Sequence, residues 1–221
     1  TVRKFAVWSL LFVLVATGIY AYSFIQIYHR PHTWVVASDW IYRNIPKGSR
    51  ILSEHWDDKL PLGLPERTDP RTGERLPSND AGRMGYQTAE LKVYDWPDTP
   101  GKIQKMARLL SNADYIILPT KRGYGSIPPA PERFPHTSDY YRALFSGVLG
   151  YEPVKVITAP AKVLGMRLSD DQMDESLRVY DHPKVVIFKR VEELTAESIE
   201  DLIMNPPQWV KAITYEEILT L

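Results

Sequence analysis

The sequence predicts an α/β fold: one N-terminal transmembrane helix followed by a single loop-rich α/β domain with a mostly parallel sheet. An uncharged apolar segment over residues 5–27 predicts the helix, and alternating helical and strand-like patterns beyond it predict the sheet. The 18 prolines and 13 tyrosines indicate long loops held by aromatic packing. Of the 221 residues, about 190 follow the apolar segment, which is enough for one domain with a sizeable core.

Residues 1–31 are expected to form the transmembrane anchor. Residues 5–27 would extend about 34 Å as a helix, slightly more than the hydrocarbon core of a bilayer. A cleaved signal peptide is the alternative, but the apolar run is too long for one and no small-x-small cleavage site follows it. Basic residues flank the run on both sides: Arg3, Lys4, His29, Arg30 and His32.

The orientation is weakly specified, because the flanking positive charges are nearly balanced and the N-terminal tail has only four residues. We favour the N-terminus inside, which puts residues 32–221 on the extracytoplasmic side of a bacterial cytoplasmic membrane as an α/β domain. The first residue is Thr, so we expect the numbered chain to be a processed product, a trimmed form or part of a longer protein.

The apolar segment has two different faces when it is drawn as a helix. Thr17, Gly18 and Ala21 form a patch of small residues on one side. The stripe of bulky residues faces lipid, or it packs on partner helices or flat hydrophobic cofactors, and both interpretations stay open. Its members recur at steps of three and four residues: Phe5, Trp8, Phe12, Val15, Ile19 and Tyr22.

His29 and His32 lie on either side of Pro31, where the apolar segment ends. One interpretation is interfacial anchoring, because imidazole is amphipathic. The other is axial ligation of a metallated tetrapyrrole near the membrane surface, because neutral imidazole is a good metal ligand. The sequence requires no cofactor; bacteriochlorophyll is the candidate for ligation by these histidines, and bacteriochlorophyll or carotenoid are the candidates for stacking on the bulky stripe.

The elements of the domain follow in order from their periodicity. A helix is expected at residues 32–44, and a strand at 50–54 precedes a long loop that reaches about residue 92. A helix at 100–112 leads to a strand at 114–118, which completes a βαβ unit. An antiparallel pair near the end is the expected departure from parallel order. The remaining elements are a Pro-rich loop at 123–135, a helix at 138–146, strands at 151–158, 163–168 and 184–189, and a helix at 195–204 capped by Thr195.

One polar cluster follows the first strand, at the position where α/β folds place ligand sites. It consists of Glu54, His55, Asp57 and Asp58. No glycine-rich phosphate loop follows it, and its spacing differs from that of closed metal sites. The cluster orders the loop through hydrogen bonds, or it binds a ligand or metal.

Three other motifs are most simply turns. Residues 170–175 are acidic but lack the glycine and the distal glutamate of a helix-loop-helix calcium site. Gly123-Tyr-Gly125 precedes Ile127-Pro-Pro and is not placed to open a helix cleanly. Tyr180-Asp-His182 comes directly before a core strand.

Composition argues against several functions. Lys plus Arg and Asp plus Glu number 27 each, so no global field attracts nucleic acid. The absence of cysteine excludes disulfides, thiolate metal sites and cysteine nucleophiles. No serine lies in a G-x-S-x-G elbow, so hydrolase chemistry is not supported. We expect neither nucleic-acid binding nor catalysis.

Several segments taken together resemble one family. Among them are Ser53-Glu-His-Trp-Asp-Asp58, Tyr124-Gly-Ser-Ile-Pro128 and Val179-Tyr-Asp-His-Pro-Lys-Val185. Their order over residues 30–190 resembles the C-terminal extracytoplasmic region of bacterial membrane proteins related to glycosyltransferase family 39. The resemblance implies a parent enzyme with many transmembrane helices and a polyprenyl-phosphate sugar donor. Its catalytic acidic residues would lie in an early loop that this chain lacks, so no catalytic residue carries over.

Two functions are compatible with these observations. The first is a non-catalytic membrane-anchored subunit that packs against a larger membrane protein complex and presents an extracytoplasmic interaction domain. A photosynthetic antenna or reaction-centre assembly is a candidate host, because the resembling chains occur in bacteria that include anoxygenic phototrophs. The second is the acceptor- or partner-binding module of a polyprenyl-phosphate-sugar-dependent glycosyltransferase. The expected partners are other membrane proteins and the lipid bilayer.

Overall fold

The computed structural model describes residues 2–55, 58–69, 72–163, 165–167 and 178–207. Asp57 and the acidic residues 170–175 lie outside the described residues. The elements in chain order are α1 (Val2–Tyr28), α2 (Thr33–Asn44), β1 (Arg50–Glu54), β2 (Arg67–Thr68), β3 (Arg75–Leu76), β4 (Gln87–Leu91), α3 (Pro100–Asn112), β5 (Tyr115–Leu118), α4 (Arg122–Ser126), α5 (Pro135–Phe145), β6 (Tyr151–Ile157), β7 (Lys162–Val163), β8 (Met166–Arg167), β9 (Val185–Arg190) and α6 (Ala196–Met204).

The main sheet has five strands in the order β4-β1-β5-β9-β6. β1 is parallel to β4 and β5, whereas β9 is antiparallel to β5 and to β6. The α/β class is therefore confirmed, but the prediction of a mostly parallel sheet is wrong. The chain leaves β6 and returns as β9 at the same edge, and such a connection makes the two strands antiparallel because a parallel pair needs a crossover.

The predicted βαβ unit is present, with β1 and β5 as parallel neighbours and α3 directly before β5. The prediction of a loop that reaches residue 92 is wrong for Gln87–Leu91, because these residues form β4 and pair with β1. This edge strand is mostly half-exposed and reads Gln-Thr-Ala-Glu-Leu. It carries neither a strict alternation nor a run of β-branched residues, so periodicity could not find it.

Helices cover both faces of the sheet. Ile116, Leu118 and Phe188 point to the face that packs on α3, α5 and α6. Ile117 and Ile187 point to the face that packs on α2. Successive strand side chains alternate between faces, and both faces of β5 and β9 are buried, which explains their continuous apolar sequences.

The segment after β5 differs from its prediction. Gly123-Tyr-Gly125 was expected in a turn, but it lies in the short helix α4. α5 begins at Pro135, earlier than expected, and its first N–H groups are capped from elsewhere. The Asp98 carboxylate accepts hydrogen bonds from the backbone N–H groups of His136 and Thr137 over 2.9 and 3.0 Å. A cap supplied by a distant loop has no local signal in the sequence.

Candidate interaction site at the helix exit

Most of α1 lies outside the domain. It has 27 residues, and a helix of that length extends about 40 Å. Residues 2–22 are exposed, and the first buried positions are Ser23 and Ile27. By length and composition α1 could cross a membrane once. The residues of the bulky stripe are all exposed: Phe5, Trp8, Phe12, Val15, Ile19 and Tyr22.

α1 meets the domain at one edge of the main sheet, which we name the exit edge. The guanidinium of Arg30 donates to the carbonyl of Pro160, just beyond β6, over 3.3 Å. The turn at Tyr180, which precedes β9, lies beside His32. Because β9 is antiparallel to β5, the parallel strands β1, β4 and β5 end at this same edge. Open α/β sheets place their ligand sites at such carboxyl ends.

The last turns of α1 are attached to the domain. Ser23 and Ile27 are buried, and the hairpin strand β7 packs against the helix. The part of α1 that is free of the domain is therefore residues 2–22, about 31 Å long, which still matches a bilayer core.

His32 uses both of its ring nitrogens. Nδ1 lies 3.2 Å from the backbone nitrogen of Trp34 and caps α2, while Nε2 lies 2.9 Å from the carbonyl oxygen of Tyr180. Since the Trp34 N–H donates, Nδ1 accepts, and the neutral ring carries its proton on Nε2. Metal ligation by His32 would have to break one of these bonds. His29, one turn earlier, is exposed.

The turn before β9 is confirmed. The N–H groups of Asp181 and His182 both donate to the carbonyl of Arg178, over 3.2 and 3.0 Å. Tyr180 is exposed at the tip of this turn, with the Arg122 guanidinium 5.6 Å from its ring centre. This contact joins the turn to α4 across the exit edge.

Glu54, at the end of β1, points into the protein. Its carboxylate accepts hydrogen bonds from the hydroxyls of Tyr140 and Tyr141 over 3.3 and 3.0 Å. Burial raises the pKa of Glu54 to about 8, against the lowering effect of the two hydroxyls. Burial likewise raises the pKa of both tyrosines well above the ordinary value, and the nearby Glu54 carboxylate adds to this. Burial therefore favours the protonated, neutral form of Glu54 within this hydrogen-bonded cluster.

Gly123 packs directly against this cluster. A Cβ on Gly123 would overlap the Tyr141 hydroxyl and lie 2.8 Å from Glu54 Oε2. On the other face of the main sheet, the indole N–H of Trp34 donates to the carbonyl of Pro119, directly after β5, over 2.9 Å. The position between the ends of β1 and β5, where related sheet topologies bind ligands, is thus filled by the chain itself.

The remaining members of the predicted polar cluster lie apart from Glu54. His55 is half-exposed, and its Nδ1 lies 2.6 Å from a carboxylate oxygen of Glu90 on β4. Asp58 is exposed. The structure therefore separates Glu54 from His55 and Asp58, and no group of three or more potential metal ligands occurs among the described residues.

Two surface grooves reach the exit edge. One of about 380 Å³ runs along α2 and is lined by Pro31, Val35, Trp40, Arg43 and Arg67 among others. The other, of about 540 Å³, begins beside Trp96 and follows the first turns of α3. Sequence reasoning missed Trp96. The signal available was a tryptophan between Asp95 and Pro97, in a polar stretch with no apolar period to bury it.

Comparison with protein families, with curated proteins and with solved structures finds no match to this chain. The resemblance to proteins related to glycosyltransferase family 39 stays a prediction that rests on the quoted segments.

Proposed function

We propose that this chain is a non-catalytic, membrane-anchored subunit. In this proposal α1 crosses the bacterial cytoplasmic membrane and packs against a larger membrane protein complex, and the α/β domain lies on the extracytoplasmic surface of that complex. One observation carries the proposal. Within α1, residues 2–22 are exposed and predominantly apolar, whereas Ser23 and Ile27 are buried against the domain.

The junction supports a role in which orientation matters. Only residues 29–32 connect α1 to α2, and Arg30 and His32 each bond to a segment at the exit edge. A flexible tether would need no such contacts. A subunit that bridges neighbouring proteins needs them, because a domain that is held rigidly loses less conformational freedom when it binds.

The side chains with catalytic potential at this edge make structural contacts. Glu54 is buried and hydrogen-bonded to the hydroxyls of two tyrosines, and the His55 ring is paired with Glu90. These contacts are the support for a non-catalytic role, and they concern the described residues alone.

The stripe from Phe5 to Tyr22 is the proposed contact with the host complex. It offers flat rings to partner helices or to pigments such as bacteriochlorophyll or carotenoid, and a photosynthetic assembly is the host we propose. Aromatic pairs contribute about 1 kcal/mol beyond area burial. Of the two histidines, His29 is the better candidate for a metal ligand, because His32 already caps α2.

The test is intact mass spectrometry of the complex purified from native membranes in mild detergent. We expect the wild-type chain in a stoichiometric complex. We expect the double variant Trp8→Leu with Phe12→Leu to be missing from the complex, although its helix stays long and apolar enough to cross the membrane. Leu10→Ile with Leu14→Ile, on the opposite side of the helix, is the matched control. Recovery of the chain alone, or equal assembly of both variants, would contradict the proposal.

Pigment ligation has its own readout. His29→Phe keeps an aromatic ring at the interface but removes the ligating nitrogen. If His29 ligates a pigment, the purified complex loses pigment or changes its absorption spectrum. An unchanged spectrum and pigment content would leave α1 as a packing element without ligation.

The groove along α2 favours a second candidate, an acceptor- or partner-binding module of a glycosyltransferase. Val35 and Trp40 give this groove apolar walls, and its charged lining is balanced, with Arg43 and Arg67 against Asp39 and Asp69. Arg67 forms an ion pair with Asp39, which leaves Arg43 as the exposed cation. A longer native polypeptide with upstream helices, detected by intact mass, would favour this candidate over the first.

A further inference from the structure

Trp96 is a large aromatic side chain that the structure holds in an exposed position. It lies five residues beyond the end of β4, and therefore at the exit edge, and it is 64% exposed. The Phe134 ring packs edge-on against it at 5.9 Å between centroids, and the Arg133 guanidinium lies 5.9 Å from its ring centre. The ring is thus supported from one side and open on the other.

Basic side chains lie around Trp96. Lys92 and Lys105 are exposed and line the same groove as the indole, and Arg133 is exposed beside it. Lys102 also lines the groove, but its ammonium is held by the Asp98 carboxylate at 2.9 Å.

Carboxylates occur in this region as well. Glu90 lies 2.6 Å from the His55 ring, and Asp95 is exposed. Glu132, which directly precedes Arg133, is also exposed. The surface therefore combines an exposed indole with three exposed cations and two exposed carboxylates.

The exit edge gives this surface a direction. If α1 spans a bilayer, the bilayer lies beyond the exit edge, because residues 2–22 extend away from the domain there. β4 lies three strand positions from β9. Trp96, which follows β4, is therefore about 15 Å along the exit edge from the junction of α1 beside β9. Two contacts at that separation would fix the tilt of the domain on the membrane.

We propose that Trp96 docks on the bilayer, with its indole at the level of the lipid headgroups and with Lys92, Lys105 and Arg133 near the lipid phosphates. Indole rings favour the membrane interface, and long basic side chains reach phosphates while their stems stay on apolar surface. The contact is weak by itself, but α1 holds the domain at the surface, so the second contact forms at a high effective concentration. The inference rests on the proposed function only in requiring that α1 spans this bilayer.

The absence of cysteine makes a direct test feasible. Single cysteines carrying a nitroxide label are placed in the full chain and reconstituted in phosphatidylcholine vesicles with phosphatidylglycerol. The labels are at Asp95, next to the proposed contact; at Val191, which is exposed at the opposite edge; and at Val15, in the middle of α1. Collision rates with oxygen and with a water-soluble nickel complex give the depth of each label.

We expect the Val15 label in the hydrocarbon, the Asp95 label at the headgroups and the Val191 label in water. Adding Trp96→Ala should move the Asp95 label to the accessibility of the Val191 label. An Asp95 label in water while the Val15 label is in the hydrocarbon would overturn the docking and leave the anchor standing. A Val15 label in water would overturn the proposed function as well. Protection of the Asp95 label in the native complex but not in vesicles would assign this surface to a protein and overturn lipid docking.

Discussion

The Nε2 atom of His32 lies 2.9 Å from the carbonyl oxygen of Tyr180, which is 148 residues away along the chain. The same ring accepts the N–H of Trp34 through Nδ1 and so begins α2. A single imidazole therefore joins the end of α1, the start of α2 and the turn before β9.

His32→Ala should destabilise this junction. Loss of the helix cap and of the bond to Tyr180 is expected to lower the free energy of unfolding by about 2 kcal/mol. His29→Ala is the control, because His29 is exposed three residues earlier. Circular dichroism melting of the full chain in one detergent measures both. Equal midpoints for His32→Ala and His29→Ala would show that the junction does not depend on the ring.

Glu54→Gln should change how stability depends on pH. The pKa of Glu54 is about 8 in the fold against an ordinary value of 4.5, so the folded protein retains a proton that the unfolded chain releases between these values. The free energy of unfolding of the wild type therefore falls as pH rises through this window, by up to about 1.4 kcal/mol per pH unit. We expect a flatter profile for Glu54→Gln from denaturant titrations.

Glu90→Gln is the matched control for this measurement, because Glu90 is a half-exposed carboxylate on the neighbouring strand. It should keep the slope that Glu54 produces. Parallel pH profiles for wild type and Glu54→Gln would contradict the buried neutral carboxyl group.

Gly123→Ala should also destabilise the fold. The added methyl group would overlap the Tyr141 hydroxyl and press on Glu54, both of which are buried. Overpacking of this kind costs about 1–3 kcal/mol. In Gly125→Ala the nearest atom is Lys121 Cγ at 2.9 Å, on a flexible side chain that can move. A loss in Gly125→Ala as large as that in Gly123→Ala would argue against a closed cluster.

Periodicity predicted most of the fold because burial on one or both faces leaves a pattern in the chain. The sequence predicted α3, β5 and α6 from their helical periodicity, their apolar runs and, for α6, the cap at Thr195. β4 was not predicted because it is a half-exposed edge strand. The antiparallel pair expected near the end is present as β6 and β9, but the antiparallel pairing of β9 with β5 was not predicted, because pairing is set by where the chain turns.

The candidate site was predicted less well, because adjacency in sequence was taken for adjacency in space. Glu54 is the last residue of β1 and His55 is the next residue along the chain, yet the Glu54 side chain faces the core and the His55 ring faces the surface. The residues that complete the Glu54 cluster are Gly123, Tyr140 and Tyr141. They come from two other helices and carry no shared motif.

Truncation distinguishes the anchor from the junction. A chain of residues 23–221 keeps Ser23, Ile27 and His32, whereas residues 33–221 lose the α2 cap. We expect both to leave the membrane fraction on carbonate washing, and the shorter chain to melt at a lower temperature. Retention of residues 23–221 in washed membranes would show that anchoring does not depend on residues 1–22.

The central claim, that α1 crosses the membrane once and leaves the domain outside, is tested most directly by cysteine accessibility in spheroplasts. Val2→Cys and Val191→Cys are each the sole cysteine of the full chain and are treated with a membrane-impermeant maleimide. We predict that Val191→Cys is labelled in intact spheroplasts and that Val2→Cys is labelled only after permeabilisation. Labelling of both in intact spheroplasts, or protection of both until permeabilisation, would contradict a single span with an extracytoplasmic domain.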